Sequence, residues 1–259
     1  MIRSNKDRRG GAPSRTVLVL SFVLALMAPL PIAAETPPPA APDQRALIRE
    51  VIIDLLREQP ELVLEALQAL ETREQVQAQT RQSEALARLR PQLEQDADDL
   101  VTGNPAGDVT IVEFFDYRCP YCKQAQASLD QAVRADGRVR LVHKQFPILG
   151  PDSVVAARAV IAARQQNRQG ELHKALMAVP GGLTEAEVFR QARSAGLDEA
   201  RLRRDMASPA VDAVLRRSLE VGRALDLRGT PAFVVGSRLI PGAVDAATLG
   251  AAVAAARQR

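Results

Sequence analysis

The chain of 259 residues is poor in the side chains that most often carry chemistry, with two cysteines, two histidines and no tryptophan. Aromatic residues make up 3% of the composition, so the chain offers few platforms on which nucleic-acid bases could stack. A zinc site needs about four ligands, and besides the cysteines only His143 and His173 could supply nitrogen donors. We interpret both histidines as structural or surface residues, and we expect neither a zinc site nor a nucleic-acid partner.

The net charge of +3 does not indicate a nucleic-acid partner either, because the excess of basic side chains lies near the N-terminus. Residues 1–34 hold five of the 34 basic and one of the 31 acidic side chains, so the remainder has a net charge of −1. Once these residues are removed, the sequence has no general attraction for acidic polymers.

Residues 1–34 have the layout of an export signal. A basic start is followed by the apolar run Val17–Leu30 and by the small residues Ala33 and Ala34. The run is shorter than the roughly 20 residues that span a bilayer, so we predict a signal peptide that is cleaved after Ala34. An uncleaved anchor is the alternative. In both cases the rest of the chain is exported, and disulfides persist outside the cytoplasm.

The remaining sequence divides into three segments. Residues 35–42 form a proline-rich linker, residues 43–100 form a helical segment, and residues 101–259 form one α/β domain. In this domain the strand Val109–Phe115, a helix and a second strand make a β-α-β unit, which predicts parallel pairing. Further helices follow, and then a hairpin and a closing helix.

The helical segment carries more aliphatic side chains than one copy can bury. We expect a first helix from Asp43, a second from Pro60, and a break or restart at Pro91. The helices either pack onto the following domain or associate with other copies of the chain, as a dimer or a trimer. We favour self-association, with the polar second part of the segment as a stalk.

Cys119 and Cys122 lie directly after the first strand, at the start of a predicted helix. The helix N-terminus favours thiolate over thiol at Cys119, which makes Cys119 the nucleophile. Cys122 lies one turn on, within reach of a disulfide, and can resolve a mixed disulfide. A structural staple is disfavoured because so short a loop removes little entropy from the unfolded chain. We predict a redox-active pair without a cofactor, while Cu(I) bound by two thiolates stays open as an alternative.

Glu113 lies six residues before Cys119 and, by strand alternation, on the same face as Ile111 and Phe115. A buried carboxylate there could exchange a proton with Cys122 as the disulfide opens. Lys144, on the adjoining strand, is the candidate partner for this charge. Exposure of Glu113 at the end of the strand is the alternative.

Three segments, VEFFDYRCPYCK, HKQFPILGP and RGTPAFVVGSRLIPGAVD, resemble the DsbA-like family of bacterial envelope oxidoreductases. LLREQPELVLEALQALE resembles the helical segment before that domain in ScsC-type proteins, which are linked to copper tolerance. The resemblance implies an α/β thioredoxin fold with a helical insertion, preceded by a helical oligomerisation or stalk segment. It also implies a periplasmic location.

The resemblance implies that Pro231 is a cis-proline that packs beside the cysteine pair, with Thr230 offering backbone groups to an extended substrate. Thr230 is similar to isomerase members, whereas Pro120 and Tyr121 combine features of oxidising and isomerising members. We therefore expect a disulfide isomerase that acts on misfolded or reduced envelope proteins and depends on a membrane redox partner. The alternatives are a monomeric dithiol oxidase and a copper-binding protein that uses the two thiolates.

Overall fold

The computed structural model describes residues 42–258. The predicted signal peptide and nearly all of the proline-rich linker lie outside the described residues, so both stay predictions. The described residues divide into two compact units, with the division between residues 62 and 63. No helix between residues 42 and 258 combines the length and the apolar character needed to cross a bilayer.

The described chain is mixed α/β, with the helices and strands following one another as the α/β prediction requires. The helices are α1 (Pro42–Glu58), α2 (Glu61–Glu94), α3 (Pro120–Asp136), α4 (Pro151–Ala163), α5 (Gln169–Ala178), α6 (Glu185–Ser194), α7 (Glu199–Met206), α8 (Pro209–Ala224) and α9 (Ala246–Arg257), with a short 3₁₀ helix at Arg164–Gln166. The strands are β1 (Leu100–Gly103), β2 (Val109–Phe115), β3 (Val139–Gln145), β4 (Ala232–Val235) and β5 (Arg238–Pro241).

The five strands form one sheet in the order β1-β3-β2-β4-β5. β2 and β3 are parallel and are joined through α3, which confirms the predicted β-α-β unit. The other pairs are antiparallel, and β4 and β5 form a hairpin. Gly236 turns this hairpin with a φ of 60°, a left-handed conformation that glycine adopts without steric cost. β1 was not predicted from the sequence.

Both faces of the sheet are covered, because β2 and β3 carry buried apolar side chains on both faces. On one face Ile111 and Leu141 pack with α3 and α9. On the other face Phe114 and Val142 pack with α8 and with the end of α2. A third cluster fills the inserted helices α4 to α8 and reaches Cys122 from that side.

The core of the α/β domain begins inside α2, before the boundary predicted at residue 100. Leu86 and Leu93 are 3% and 2% exposed, because both pack in the cluster that contains Phe114. α2 also continues to Glu94, one turn beyond Pro91, so the predicted break at this proline is wrong. The last turns of α2 are therefore part of the same core as the sheet.

Ion pairs fix the segment between α2 and β1 to the rest of the domain. Arg217 of α8 binds Asp96 at 2.9 Å and Asp98 at 2.6 Å. Lys144, only 1% exposed, forms a buried ion pair with Asp99. Because a buried charge without a partner is strongly destabilising, this segment completes the domain.

Candidate active site

The cysteine pair lies where β2 ends and α3 begins. Cys119 occupies the N-cap of α3 in an extended backbone conformation, and Pro120 is the first residue of the helix. The backbone N–H of Cys119 donates to the carbonyl oxygen of Asp116 at 3.0 Å, which closes the turn. The Cys119 sulfur therefore lies at the positive end of a 17-residue helix, where an anion is stabilised.

The two cysteines are present as thiols and differ in their access to solvent. Cys119 is 4% exposed, whereas Cys122 is fully buried. Burial raises the pKa of Cys122, and the nearby charge of Glu113 acts in the same direction. The surroundings therefore distinguish an outer sulfur that a substrate can reach from an inner sulfur that keeps its proton.

The loop before β4 forms one side of the site. The Thr230–Pro231 peptide bond is cis, as the resemblance implied. The Cys119 thiol donates to the Thr230 carbonyl oxygen at 3.2 Å, and Gly242 donates to the carbonyl oxygen of Pro231 at 2.8 Å. The structure thus brings Thr230 beside the outer sulfur. Tyr121, between the cysteines, projects outward with 63% of its surface exposed.

Glu113 is fully buried, so the exposed alternative is wrong. Its Oε2 lies 3.1 Å from Nδ1 of His143, and Nε2 of His143 lies 2.8 Å from the hydroxyl oxygen of Thr102. The other carboxylate oxygen, Oε1, is buried and has no hydrogen-bond partner among the described residues. A buried polar atom of this kind is costly, and near a thiol it can accept a proton.

Lys144 is not the partner of Glu113, which corrects the sequence-based expectation. Parallel pairing puts Glu113 opposite His143, and the next residue along β3 points to the other face of the sheet. Lys144 there pairs with Asp99 instead. The structure therefore separates the two residues predicted as a proton relay and puts a histidine where the lysine was expected.

His173 extends this polar group towards α5. Its Nδ1 lies 2.9 Å from the Tyr117 hydroxyl oxygen, and its ring centroid lies 4.5 Å from that of His143. Burial lowers the pKa of His173, and the neighbouring His143 adds to the effect. Both histidines and Thr102 line a cavity of about 620 Å³ between α3, α5 and the β1 side of the sheet. The cavity therefore reaches His143, the partner of Glu113.

The site combines a cysteine pair at a helix N-terminus with a cis-proline loop. Most of the domain that contains it also matches the model of a known protein family. The family model for the DSBA-like thioredoxin domain matches residues 110–254. The chain belongs to this DSBA-like family. The α/β thioredoxin fold expected from the sequence is confirmed.

Two solved structures support this DSBA-like assignment. A thioredoxin-like oxidoreductase from Silicibacter pomeroyi is 48% identical, covers 66% of this chain and 98% of its own, and has a TM-score of 0.64. A linker-deletion mutant of ScsC from Proteus mirabilis is 26% identical, covers 86% of this chain and 99% of its own, and has a TM-score of 0.64. The resemblance to ScsC-type proteins is thereby confirmed.

One curated relative of the DSBA-like chain is much longer than this chain. Na(+)/H(+) antiporter NhaA 3 from Salinispora tropica is 31% identical over 160 residues, which are 61% of this chain. The chain spans about a quarter of the length of the curated relatives it matches, 24% in this case. The antiporter name describes that whole protein.

Two residues of the DSBA-like site, His143 and Asp116, were missed or given no role in the sequence analysis. Equal lengths of VTIVEFF and VRLVHKQ, aligned as parallel strands, would have put Glu113 opposite His143. Asp116 was missed because two of the N–H groups that its side chain accepts from, those of Ile148 and Leu149, follow about thirty residues later. Across residues 42–258, no three His, Cys, Asp or Glu side chains are grouped so that they could hold a metal ion.

Proposed function

We propose that the protein is a periplasmic disulfide isomerase that acts on misfolded envelope proteins through Cys119. The observation that carries this proposal is the contrast between the two sulfurs. Cys119 lies at the helix N-terminus and retains some exposure, whereas burial raises the pKa of Cys122. A site of this kind forms mixed disulfides readily and resolves them slowly, which gives a substrate time to rearrange.

The reaction begins when the Cys119 thiolate attacks one sulfur of a substrate disulfide. A Cys119–substrate disulfide forms, the substrate S–S bond breaks, and the second substrate sulfur leaves as a thiolate. That thiolate attacks another disulfide of the same chain, and a later substrate thiolate displaces Cys119. No net electrons are transferred, so the product has the same number of disulfides with a different pairing.

Reduction of the substrate competes with rearrangement. If Cys122 attacks the mixed disulfide, Cys119 and Cys122 become oxidised and the substrate leaves with two thiols. This step requires the Cys122 proton to leave, and we assign its acceptance to Glu113, whose Oε1 is buried without a partner among the described residues. His143 holds the other oxygen and lines the cavity towards solvent. A membrane redox partner would then reduce the pair again.

Self-association is the second part of the proposal. α1 exposes aliphatic side chains along its length, and the first half of α2 exposes more of them, from 36% to 62% of each side chain. Monomeric soluble proteins rarely expose apolar surface of this extent, and a second or third copy of the same helices is the matching partner. The side chains are Leu47, Ile48, Val51, Ile52, Ile53, Leu55, Leu56, Leu62, Val63, Leu64, Leu67, Leu70 and Val76.

The two alternative functions, a monomeric dithiol oxidase and a Cu(I)-binding protein, predict different experimental results. A monomeric dithiol oxidase would transfer its disulfide to reduced proteins without rearranging scrambled ones. A Cu(I)-binding protein would need both thiolates, and the raised pKa of Cys122 opposes the loss of its proton. The burial of Cys122 therefore favours exchange over copper binding.

The test compares residues 35–259 with residues 80–259 in refolding a scrambled protein that contains several disulfides. The longer form is expected to be a dimer or trimer by light scattering and to refold the substrate faster, because several active sites share one bound chain. Both forms should exchange a simple disulfide equally well. A monomeric longer form that only oxidises dithiols would support the oxidase instead.

A copper titration distinguishes the third function. Stoichiometric Cu(I) binding that survives competition by a thiol buffer and is lost in Cys122→Ser, without any exchange activity, would contradict the proposed reaction.

A further inference from the structure

The cavity between α3, α5 and the β1 side of the sheet has the size of a small-molecule site. Its volume of about 620 Å³ lies within the range of about 300–1,000 Å³ that is usual for such sites. The thiol–disulfide exchange proposed above binds no molecule in this space. We call it the histidine cavity, because His143 and His173, the two histidines of the chain, both line it.

The histidine cavity carries an excess of positive charge. Its lining includes the three cations Lys123, Arg134 and Lys174, and one carboxylate, Asp130. Lys123 donates to backbone carbonyl oxygens only, and Lys174 has no ion pair within the described part of the chain. Asp130 accepts from Nε2 of Gln126 at 3.0 Å and lies 3.9 Å from Nη1 of Arg134. Because this carboxylate balances at most one of the three cations, the cavity attracts anions.

His173 offers a hydrogen-bond donor to this cavity. The residue is 3% exposed, and burial lowers its pKa, with His143 and Lys174 adding to the effect, so the imidazole is neutral. Its Nδ1 lies 2.9 Å from the hydroxyl oxygen of Tyr117, which accepts from Nε2 of Gln145 at 3.3 Å. The hydroxyl proton is therefore directed to Nδ1, and the ring proton of His173 is on Nε2. This N–H has no hydrogen-bond partner among the described residues, so it is free to bind an acceptor that enters the cavity.

The remaining wall of the histidine cavity is largely apolar. Val133 of α3, Leu141 of β3 and Met177 of α5 all contribute to it. A bare inorganic anion would leave these side chains without a contact. An organic anion with an apolar body satisfies both parts of the lining, because its charged end can meet the cations and its body can cover the apolar wall.

We propose that the histidine cavity is a binding site for a small organic carboxylate with an apolar body. The carboxylate accepts from Nε2 of His173 and pairs with Lys174 and Arg134, while the apolar body lies against the wall that contains Met177. The site is separate from the cysteine pair. It adjoins the proposed proton acceptor, because His143 lines the cavity and its Nδ1 lies 3.1 Å from the Glu113 carboxylate.

The two histidines allow binding to be measured directly, since the chain has no others and both line the cavity. In residues 35–259 without a histidine tag, NMR follows the two imidazole Cε1–H signals at constant pH and ionic strength. The probe is 3-phenylpropanoate, and the comparison ligands are its uncharged amide and inorganic phosphate. We expect both signals to shift and to saturate with the carboxylate. The amide should bind at least about threefold more weakly, because it lacks the charge that pairs with the cations.

Two variants and a control test the contacts of the carboxylate. Arg134→Gln with Lys174→Gln removes two exposed cations, so the affinity should fall about threefold to tenfold without loss of the fold. His173→Phe keeps a buried ring but removes the donor, so the affinity, followed at the His143 signal, should fall about tenfold. Arg138→Gln is the matched control, because this arginine is also exposed but does not line the cavity. It should bind 3-phenylpropanoate as the unmodified chain does.

The proposal is overturned if neither histidine signal of the unmodified chain shifts to saturation with 3-phenylpropanoate. It is also overturned if the Arg134 and Lys174 variant binds as tightly as Arg138→Gln, since the carboxylate would then lie elsewhere. Phosphate that binds as tightly as 3-phenylpropanoate contradicts the organic ligand class. The measurement does not depend on thiol–disulfide exchange, so a chain that binds the carboxylate but exchanges no disulfides refutes the proposed function and leaves this site in place.

Discussion

Removal of the N-terminal segment should have opposite consequences depending on where the cut falls in α2. A chain of residues 80–259 keeps Leu86, Leu93 and the Asp99 partner of Lys144. A chain of residues 101–259 loses all three. We expect the first chain to fold and the second to be largely unfolded at 25 °C.

The expected loss can be worked out from these contacts. Leu86 and Leu93 are almost fully buried, and removal of a buried leucine side chain costs about 2–5 kcal/mol. Loss of Asp99 leaves Lys144 buried without its partner, which costs about 3–5 kcal/mol. The lower limits of the three costs, two for the leucines and one for the ion pair, add up to about 7 kcal/mol. This sum is comparable with the free energy of unfolding of a domain, which is usually about 5–15 kcal/mol.

Urea unfolding followed by far-ultraviolet circular dichroism gives the measurement, since the chain has no tryptophan for fluorescence. In residues 80–259, Leu93→Ala should lower the free energy of unfolding by about 2–5 kcal/mol. Leu149→Ala is the matched control, because this leucine is 42% exposed and surface changes stay within about 0.5 kcal/mol. Equal urea midpoints for residues 80–259 and 101–259 would refute the assignment of α2 to the core.

Three further changes have defined outcomes. Iodoacetamide should label Cys119 well before Cys122, because burial raises the pKa of Cys122; equal labelling rates would contradict the two roles. Glu113→Gln should lengthen the lifetime of the mixed disulfide on Cys119 in stopped-flow measurements, and the effect should exceed that of His173→Gln, since the latter does not bind Glu113. Arg257 holds the pKa of Asp136 down to about 2, so this pair stabilises the fold above about pH 4 and the contribution is lost as the pH falls towards 2. Acid unfolding of Arg257→Ala should lack that component, and an unaltered acid transition would count against it.

The local part of the fold could be predicted from the sequence. Val109–Phe115 was placed with its observed bounds, because β-branched and aromatic residues are typical of a strand. The helix start at Pro120 and the hairpin turn at Gly236 likewise depend on short-range backbone preferences. The role predicted for the cysteine pair rests on its position between these elements.

The contacts between distant segments could not be predicted in the same way. β1 is a short strand that forms by pairing with β3, about forty residues later. The Leu86 and Leu93 contacts exist because the polar second half of α2 folds back on the sheet, and its sequence pattern is too weak to show that face. His143 rather than Lys144 lies beside Glu113 because of the register between β2 and β3. A shift of one residue in this register would turn the side chains of the strand to the opposite face of the sheet.

The central claim is that Cys119 forms mixed disulfides whose slow resolution by Cys122 leaves time for rearrangement. Mass spectrometry of acid-quenched reactions with a scrambled multi-disulfide protein tests it most directly, in the unmodified chain, Cys119→Ser and Cys122→Ser. We predict a transient substrate adduct in the unmodified chain, an accumulating adduct with retained rearrangement in Cys122→Ser, and neither in Cys119→Ser. An adduct that forms on Cys122, or rearrangement that persists in Cys119→Ser, would contradict the account.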